Sequence, residues 1–399
     1  MINSIVVAPT FLRSSCAVGQ IERHFFPNLP EDFYSHIICA NDELRLEGDR
    51  FLTHILPESR LVLKFDLLFR KLGWTDLVYS PDSTYYSWYN RALRKAASIV
   101  QNTSIDYIHT INNPVSAHLI GYEIKKKYGI PWIAQFFDPW SHNAFRVYRH
   151  SFFSRIDARR ERLVAEHADL ILLPNQELLD AWKGLYGEVC CNKLFVLPFT
   201  TEVPDMMSMP SKSNQGLTIA HIGTLSENRR ADVFFRAVSR LLRTHPEDNG
   251  KLKINIVGCI TEEDKKIIVQ EGIQDVVNII GRVSEEDCLK YYKTADVFLI
   301  IDIDCSPNLF YPSKLLKYFC FQKPIVGLTQ RDSVVSHELS KTGNISFDYY
   351  DDEGLAEYIH IAINDYKSIN HNDKFYYQRF LVNNTTTMFR DCLSHILTP

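Results

Sequence analysis

The chain has 399 residues, longer than a single typical domain, so two domains are expected. With 45% hydrophobic and 12% aromatic residues it has material for sizeable cores, which excludes a disordered protein. A net charge of −4 excludes a global attraction to nucleic acid, and no nucleic-acid partner is expected. The nine cysteines show no C-x-x-C pair and no metal-ligand spacing; Cys190 and Cys191 are adjacent and the others scattered, a set that fits reduced thiols in the cytosol. Pro9, Arg13 and Ser14 interrupt the opening apolar run, so no secretory leader is expected. No apolar run approaches the ~18 residues of a membrane span.

In chain order, Ile5-Val6-Val7-Ala8-Pro9 reads as an opening strand, followed by a helix over residues 20–26. Gly19 is a lone glycine, and with no G-x-G-x-x-G a dinucleotide-binding start is not expected. A second strand is expected at 36–40, and residues 42–88 give no functional reading. A helix over 89–101, a strand over 105–110, a helix over 115–128 and a strand over 132–137 then alternate, which implies parallel βαβ units. In such a sheet the groups just past the strand C-termini face the ligand crevice. His109, Asn112, Asn113, Asp138 and His142 all fall there; any one of them alone reads first as a loop residue capping backbone groups, and it is their shared placement that points to a site. The segment 146–162, from Arg146 to Arg162, interleaves basic residues with Tyr148, Phe152, Phe153 and Ile156. It fits contact with an anionic bilayer or a phosphorylated acceptor, or a solvated helix face diluted by Asp157 and Glu161. A strand over 168–174, a helix over 176–186 and a strand over 194–198 close this half.

The pattern stops over 200–216, a Met-, Pro- and Ser-containing stretch that marks a linker between domains 1–199 and 217–374. A fresh α/β pattern begins at 217–224, and Arg229-Arg230 sit at the head of the next helix, well placed for a diphosphate. Strands over 253–258, 276–280 and 295–301 alternate with helices over 261–271 and 285–294. The run Pro312-Ser313-Lys314-Leu315-Leu316-Lys317-Tyr318-Phe319 opens a helix with Ser313 as its expected cap, and 325–328 reads as a buried strand. Residues 351–364 read as a helix, and 375–399 as a terminal helical segment that packs back toward the first domain.

These runs resemble the retaining glycosyltransferases with two Rossmann-like domains, the GT-B fold, group 4. The resemblance is strongest over 219–328, extends over 106–174, and is weak over the first hundred residues. The stretch from Gly223 to Arg230 is similar to the family's strand–glycine–loop–Arg-Lys run, Gly281 to Val297 to its Gly-x-Val-Ser run, and Pro312 to Pro324 to its Pro-Ser-Lys-Leu-x-Glu-Tyr run with a Gly-Lys-Pro turn. Asp138-Pro139-Trp140 resembles the Asp-x-Trp run of relatives that act on lipid-linked sugars. One departure is Lys317, which stands where the family has the glutamate that accepts hydrogen bonds from the donor ribose; a lysine only donates. The family's sugar-contacting histidine has no clean counterpart, His109 being early and Asn112 or Asn113 nearer its place.

The resemblance implies an α/β enzyme of GT-B architecture with two parallel sheets. It would move a sugar from a nucleotide diphosphate to a saccharide or lipid-linked acceptor, with retention, in bacterial surface polysaccharide synthesis. It would need neither metal nor cofactor, and would work in the cytoplasm or on the inner face of the cell membrane. The expected catalytic residues are Arg229, Arg230, Asp138 and His109. Donor binding falls to Gly223, Gly281, Arg282, Ser313, Lys314 and Lys317, and acceptor binding to Gly19, Asn113 and His142. Two alternatives stay open: a non-catalytic relative that binds or scaffolds, because of Lys317, and a sugar-nucleotide epimerase, which would bring more carboxylates to its cleft.

Overall fold

The computed structural model describes residues 1–14, 16–40, 43–80, 82, 85–112, 114–203, 216–226, 228–369 and 373–397. Two compact units emerge: Met1–Glu202 with Arg379–Pro399, and Val203–Gln378. Most of the expected linker, 204–215, lies outside the described residues.

The first unit is built on a seven-stranded parallel sheet: β1 (Ile2–Val7), β2 (Phe33–Cys39), β3 (Phe51–Ile55), β4 (Tyr107–Ile111), β5 (Trp132–Gln135), β6 (Leu170–Leu173) and β7 (Leu194–Val196), in the order β3-β2-β1-β4-β5-β6-β7. Its central strands are apolar on both faces; Ile5, Val6, Val7 and the whole of Leu170–Leu173 are fully buried, as a sheet covered by helices on both sides demands. The helix Ser116–Tyr128 presses so closely on β5 that a Cβ at Gly121 would lie 2.2 Å from Trp132 Nε1. That indole nitrogen donates to Thr110 Oγ1 at 2.8 Å, so the close approach also satisfies a buried donor. From the far end of the sequence, the helix Val382–Leu393 sets Phe389 among Phe25, Phe33, Tyr107 and His109.

The second unit has six parallel strands: β8 (Leu217–Ile222), β9 (Leu252–Val257), β10 (Val277–Gly281), β11 (Val297–Ile301), β12 (Ile325–Leu328) and β13 (Ile345–Phe347), in the order β10-β9-β8-β11-β12-β13. The helix Ala231–Thr244 buries Val233, Phe234, Ala237, Val238 and Leu241 on the sheet, together with Leu355 and Ile359 of the helix Asp352–Asn364. Helix starts carry side-chain caps at Thr261, Ser284, Ser333 and Asp351, each accepting from the backbone three residues on at 2.9–3.0 Å. Ser313 does not: it precedes the helix Lys314–Cys320 with helical backbone angles and makes no capping bond, because the turn closes instead through Leu315 N to Pro312 O at 2.9 Å. Both sheets reverse their strand order once, between β1 and β4 and between β8 and β11. Such switch points are where doubly wound sheets bind ligands.

Candidate active site

At the second unit's switch point the two central strands part. β11 pairs with β8 only at Val297↔Ile219 and Phe298↔Ala220, although it stays paired with β12 as far as Ile301↔Leu328. The groups left unpaired by the parting still need partners. Tyr318 O–H supplies two, accepting from Ile222 N at 2.9 Å and donating to Leu299 O at 3.3 Å. His221 adds a third, its Nδ1 lying 3.1 Å from the same Leu299 O, which makes Nδ1 the donor and leaves Nε2 as an acceptor. Lys314 Nζ meets that Nε2 at 3.1 Å. Gly223, at φ +136°, lets the lysine lie there: a Cβ would be 3.1 Å from Nζ. Gly258 repeats the device, since its Cβ would meet Gly223 O at 2.4 Å.

Arg229 enters the same space from the loop after β8. Its NH1 donates to Ile301 O and lies 4.0 Å from Asp302 Oδ1, and Arg229 bridges to Ile303 while Asp304 N donates to Asn228 O at 2.9 Å. Asp302 is fully buried and takes hydrogen bonds from Ile303 N at 2.8 Å, Asn308 Nδ2 at 2.8 Å and Thr329 Oγ1 at 3.0 Å. Burial raises its pKa against those bonds. Burial, and then the charge on Arg229, hold the Lys314 ammonium well below the usual lysine range, and the same burial lowers Arg229 and His221. The crevice is thus a desolvated cationic cluster with one buried counter-charge, short of negative charge. Arg230 stands at its edge, half-exposed, bonded to Asp232 at 3.1 Å and Asp304 at 3.4 Å. Gly281 (φ +77°) ends β10, with Arg282 directly after it. Lys317 points elsewhere, paired to Glu285 Oε1 at 2.6 Å on the exposed start of the helix Glu285–Thr294.

In the first unit, a cavity of about 940 Å³ opens past the C-termini of β1, β4 and β5, lined by Thr10, Arg13, Glu58, Asp82, Asp138 and Arg146 among others. This is the β1/β4 switch point, within the size range of ligand pockets. Asn112 holds its wall: Oδ1 accepts from Phe137 N at 2.7 Å and Nδ2 donates to Asp138 O at 3.0 Å. Asp138 therefore lines the cavity as expected of a crevice residue. His109 does not. β4 runs on to Ile111, so His109 is third in a five-residue strand, fully buried, with Nε2 2.9 Å from Gln135 Oε1 and its ring stacked 5.4 Å from Phe389. It is a core side chain, and the catalytic role expected for it is withdrawn. Gly19 is likewise structural, because a Cβ there would lie 2.3 Å from Thr10 O; it lets the helix Ala17–Phe25 press on the loop after β1. His142 is exposed and outside the cavity lining, and Asn113 lies outside the described residues.

The cationic look of 146–162 is in part neutralised by acids in and beside the segment. Arg146 binds the buried Asp157 at 2.7 Å, Arg160 reaches the same carboxylate at 3.5 Å, and Arg162 pairs with Glu166 and Glu188. Spacing also gave no hint that His245, Glu247 and His360 converge, with candidate ligand atoms within 4.8 Å. The two imidazoles stack at 3.7 Å and 19°, so their lone pairs lie in near-parallel planes and do not meet at one tetrahedral centre.

The family described as "Glycosyl transferases group 1" matches residues 207–379. That span falls almost wholly in the second unit, around the cationic crevice. No curated protein matches the chain in sequence. Solved structures match it over nearly its whole length. The lipopolysaccharide outer core galactosyltransferase WaaB, in its apo form, is 13% identical with a TM-score of 0.64, covering 100% of both chains. Anabaena HepE in complex with UDP-glucose is 13% identical with a TM-score of 0.67, over 99% of this chain and 100% of that one. Sucrose-phosphate synthase from Thermosynechococcus elongatus is 9% identical with a TM-score of 0.71, over 99% of each. At such identities the likeness is one of fold, and the expected α/β, GT-B class is the observed one.

Proposed function

We propose that the chain is a glycosyltransferase that takes a nucleotide-diphosphate sugar in the second unit and passes the sugar, with retention, to a saccharide or lipid-linked saccharide held in the first-unit cavity. The observation that carries the reading is the desolvated cationic cluster of Lys314 and Arg229 at the β8/β11 switch point, inside the span that matches a glycosyltransferase family. A buried ammonium pushed out of its ordinary range gains most when an anion arrives. As the bond from the anomeric carbon to the diphosphate breaks, negative charge gathers on the leaving oxygen, and Lys314, Arg229 and Arg230 stabilise it there. With retention, the acceptor oxygen bonds to the anomeric carbon on the face the diphosphate leaves. The departing phosphate is then the nearest base for the acceptor's proton. The cavity wall at Asp138 and Arg13 offers an acceptor and a donor for sugar hydroxyls. Relatives in fold support the donor class, since HepE is seen with UDP and with UDP-glucose. A role in surface polysaccharide synthesis, in the cytoplasm or at the membrane's inner face, agrees with WaaB as a fold relative.

Lys317, tied to Glu285, favours one second reading: a subunit that binds a nucleotide but transfers nothing, for want of a ribose carboxylate. Calorimetric titration with UDP, GDP and ADP, with and without EDTA, followed by nucleotide release from the matching donor sugar, separates the two. A preferred nucleoside diphosphate, indifference to EDTA and acceptor-dependent release are the expected results. Binding without release across a broad acceptor panel would favour the second reading, and no binding at all would remove both.

A further inference from the structure

The helix Arg60–Lys71 breaks the rule that an amphipathic helix hides its apolar stripe. Leu61, Phe65, Leu68 and Leu72 recur at i, i+4, i+7 and i+11, one face of a helix, yet are 68%, 56%, 46% and 50% exposed. Phe65 stacks on Phe69 at 6.2 Å, and Phe69 meets Trp74 at 5.9 Å, so the stripe continues past the helix into a half-exposed indole. The surface then joins the loop that carries Phe145 and Val147 and the start of the helix Ser151–His167 with Phe152, all three exposed. Bonds fasten the two together: Thr75 Oγ1 donates to Val147 O at 3.1 Å, Arg149 NH1 to Gly73 O at 3.2 Å, and Asp76 accepts from the backbone of Arg149 and His150. An apolar surface of this extent on a soluble face calls for a partner.

Charge decides which one. Lys64, Lys71, Arg149 and Arg155 are exposed on these two segments, while the acids Asp66 and Asp76 are engaged by Arg70 and His150. A chain of net charge −4 has thus collected Lys64, Lys71, Arg149 and Arg155 around this exposed apolar stripe. A flat apolar stripe rimmed by lysine and arginine, with a tryptophan at its end, matches the interfacial layer of an anionic bilayer. The opposite side of the same helix, Leu63, Asp66, Leu67 and Arg70, lines the 940 Å³ cavity. We infer that the helix Arg60–Lys71, with Trp74, Val147 and Phe152, is a docking surface for an anionic lipid bilayer, which sets the cavity beside the headgroup layer.

The inference rests on the acceptor reading above only for its purpose, not for its test, which needs neither donor nor acceptor. Trp74 is half exposed, whereas Trp88, Trp132, Trp140 and Trp182 are fully buried, so it reports contact without labelling. The full chain is mixed with vesicles of phosphatidylcholine containing phosphatidylglycerol, and of phosphatidylcholine alone. The expected result is partition onto the anionic vesicles, weakened several-fold by added salt, with quenching of tryptophan emission by brominated lipid that Trp74→Phe abolishes. The variant Leu61→Ser/Phe65→Ser/Leu68→Ser should partition at least about tenfold more weakly. Because all three side chains are exposed, its melting temperature should match that of the parent. Equal partition by parent and variant, or no lipid quenching of Trp74, would overturn the inference. So would a dimer seen by sedimentation that the variant dissolves while the parent ignores vesicles, since the stripe would then face a second copy.

Discussion

Lys314 concentrates an energetic conflict in a single side chain. The fold drives its ammonium toward neutrality through burial and Arg229, while the proposed ligand would restore the charge. Nucleoside-diphosphate binding should therefore take up protons wherever the free lysine is partly neutral, and affinity should fall as pH rises through its lowered pKa. Titrations in buffers of differing ionisation heat read the uptake, and Lys314→Met should abolish it. That variant should also bind about 10–150-fold more weakly, the ~1.5–3 kcal/mol of a charge-assisted bond, and melt at a higher temperature, because a suppressed charge has been removed. Lys317→Glu should tighten a ribonucleotide more than its 2′-deoxy analogue if the position faces the ribose; an equal change in both would show that it does not. In the first unit, buried Glu22 and Glu161 are raised to about 8 and about 7, whereas His109 and His118 are lowered to about 3. The native state holds protons on the carboxyls that the unfolded chain releases, so their contribution is present below pH 4.5 and lost as pH rises through 7 and 8. The histidines act in reverse, costing stability as pH falls below 6.5. Between pH 6.5 and 8, the melting temperature of the first unit should decline, and Glu22→Gln should flatten the decline.

Elements with apolar runs bounded by turns, such as β6, β8 and β11, were legible because a strand buried on both faces has little choice of residue. Two of the edge strands were not: β3 and β13 are short, carry Thr53, His54 and Ser346, and present no apolar run. The helix Arg60–Lys71 escaped for the opposite reason. Its apolar spacing is strong, but spacing does not say whether a stripe faces a core or the outside. His109 shows how one residue of strand length decides a role. A strand ending at 110 would have carried the imidazole toward the crevice, but continuation to Ile111 leaves it in the core beside Phe389. Arg229 and Lys314, with Arg230 at the edge, share one crevice because each follows a strand C-terminus of the same sheet. His221 and Asp302, which meet Lys314 and Arg229, come from other segments of the chain, and nothing in their local sequence marked them. At Gly121, where a Cβ would lie 2.2 Å from the Trp132 indole, substitution by alanine should separate helix from sheet and destabilise the first unit by about 1–3 kcal/mol, measurable by chemical denaturation.

On the scale of the whole molecule, the two units have separate cores, and their stabilities should be separable. Phe389→Ala removes a fully buried ring that touches Phe25, Phe33, Tyr107 and His109, and should cost the first unit about 3–5 kcal/mol. A calorimetric scan should show that unit's transition falling alone. A bound nucleoside diphosphate should raise only the other. A single transition shifted as a block would mean that the units unfold as one.

The first unit is also discontinuous in sequence: its sheet comes from the opening 202 residues, while the helix that covers Phe33 and Tyr107 arrives after residue 378. A ribosome therefore finishes the inserted second unit before it makes the last piece of the first. During that interval the face of β2 and β4 that awaits Phe389 is bare, and the time of greatest risk of aggregation is set by the speed of translation.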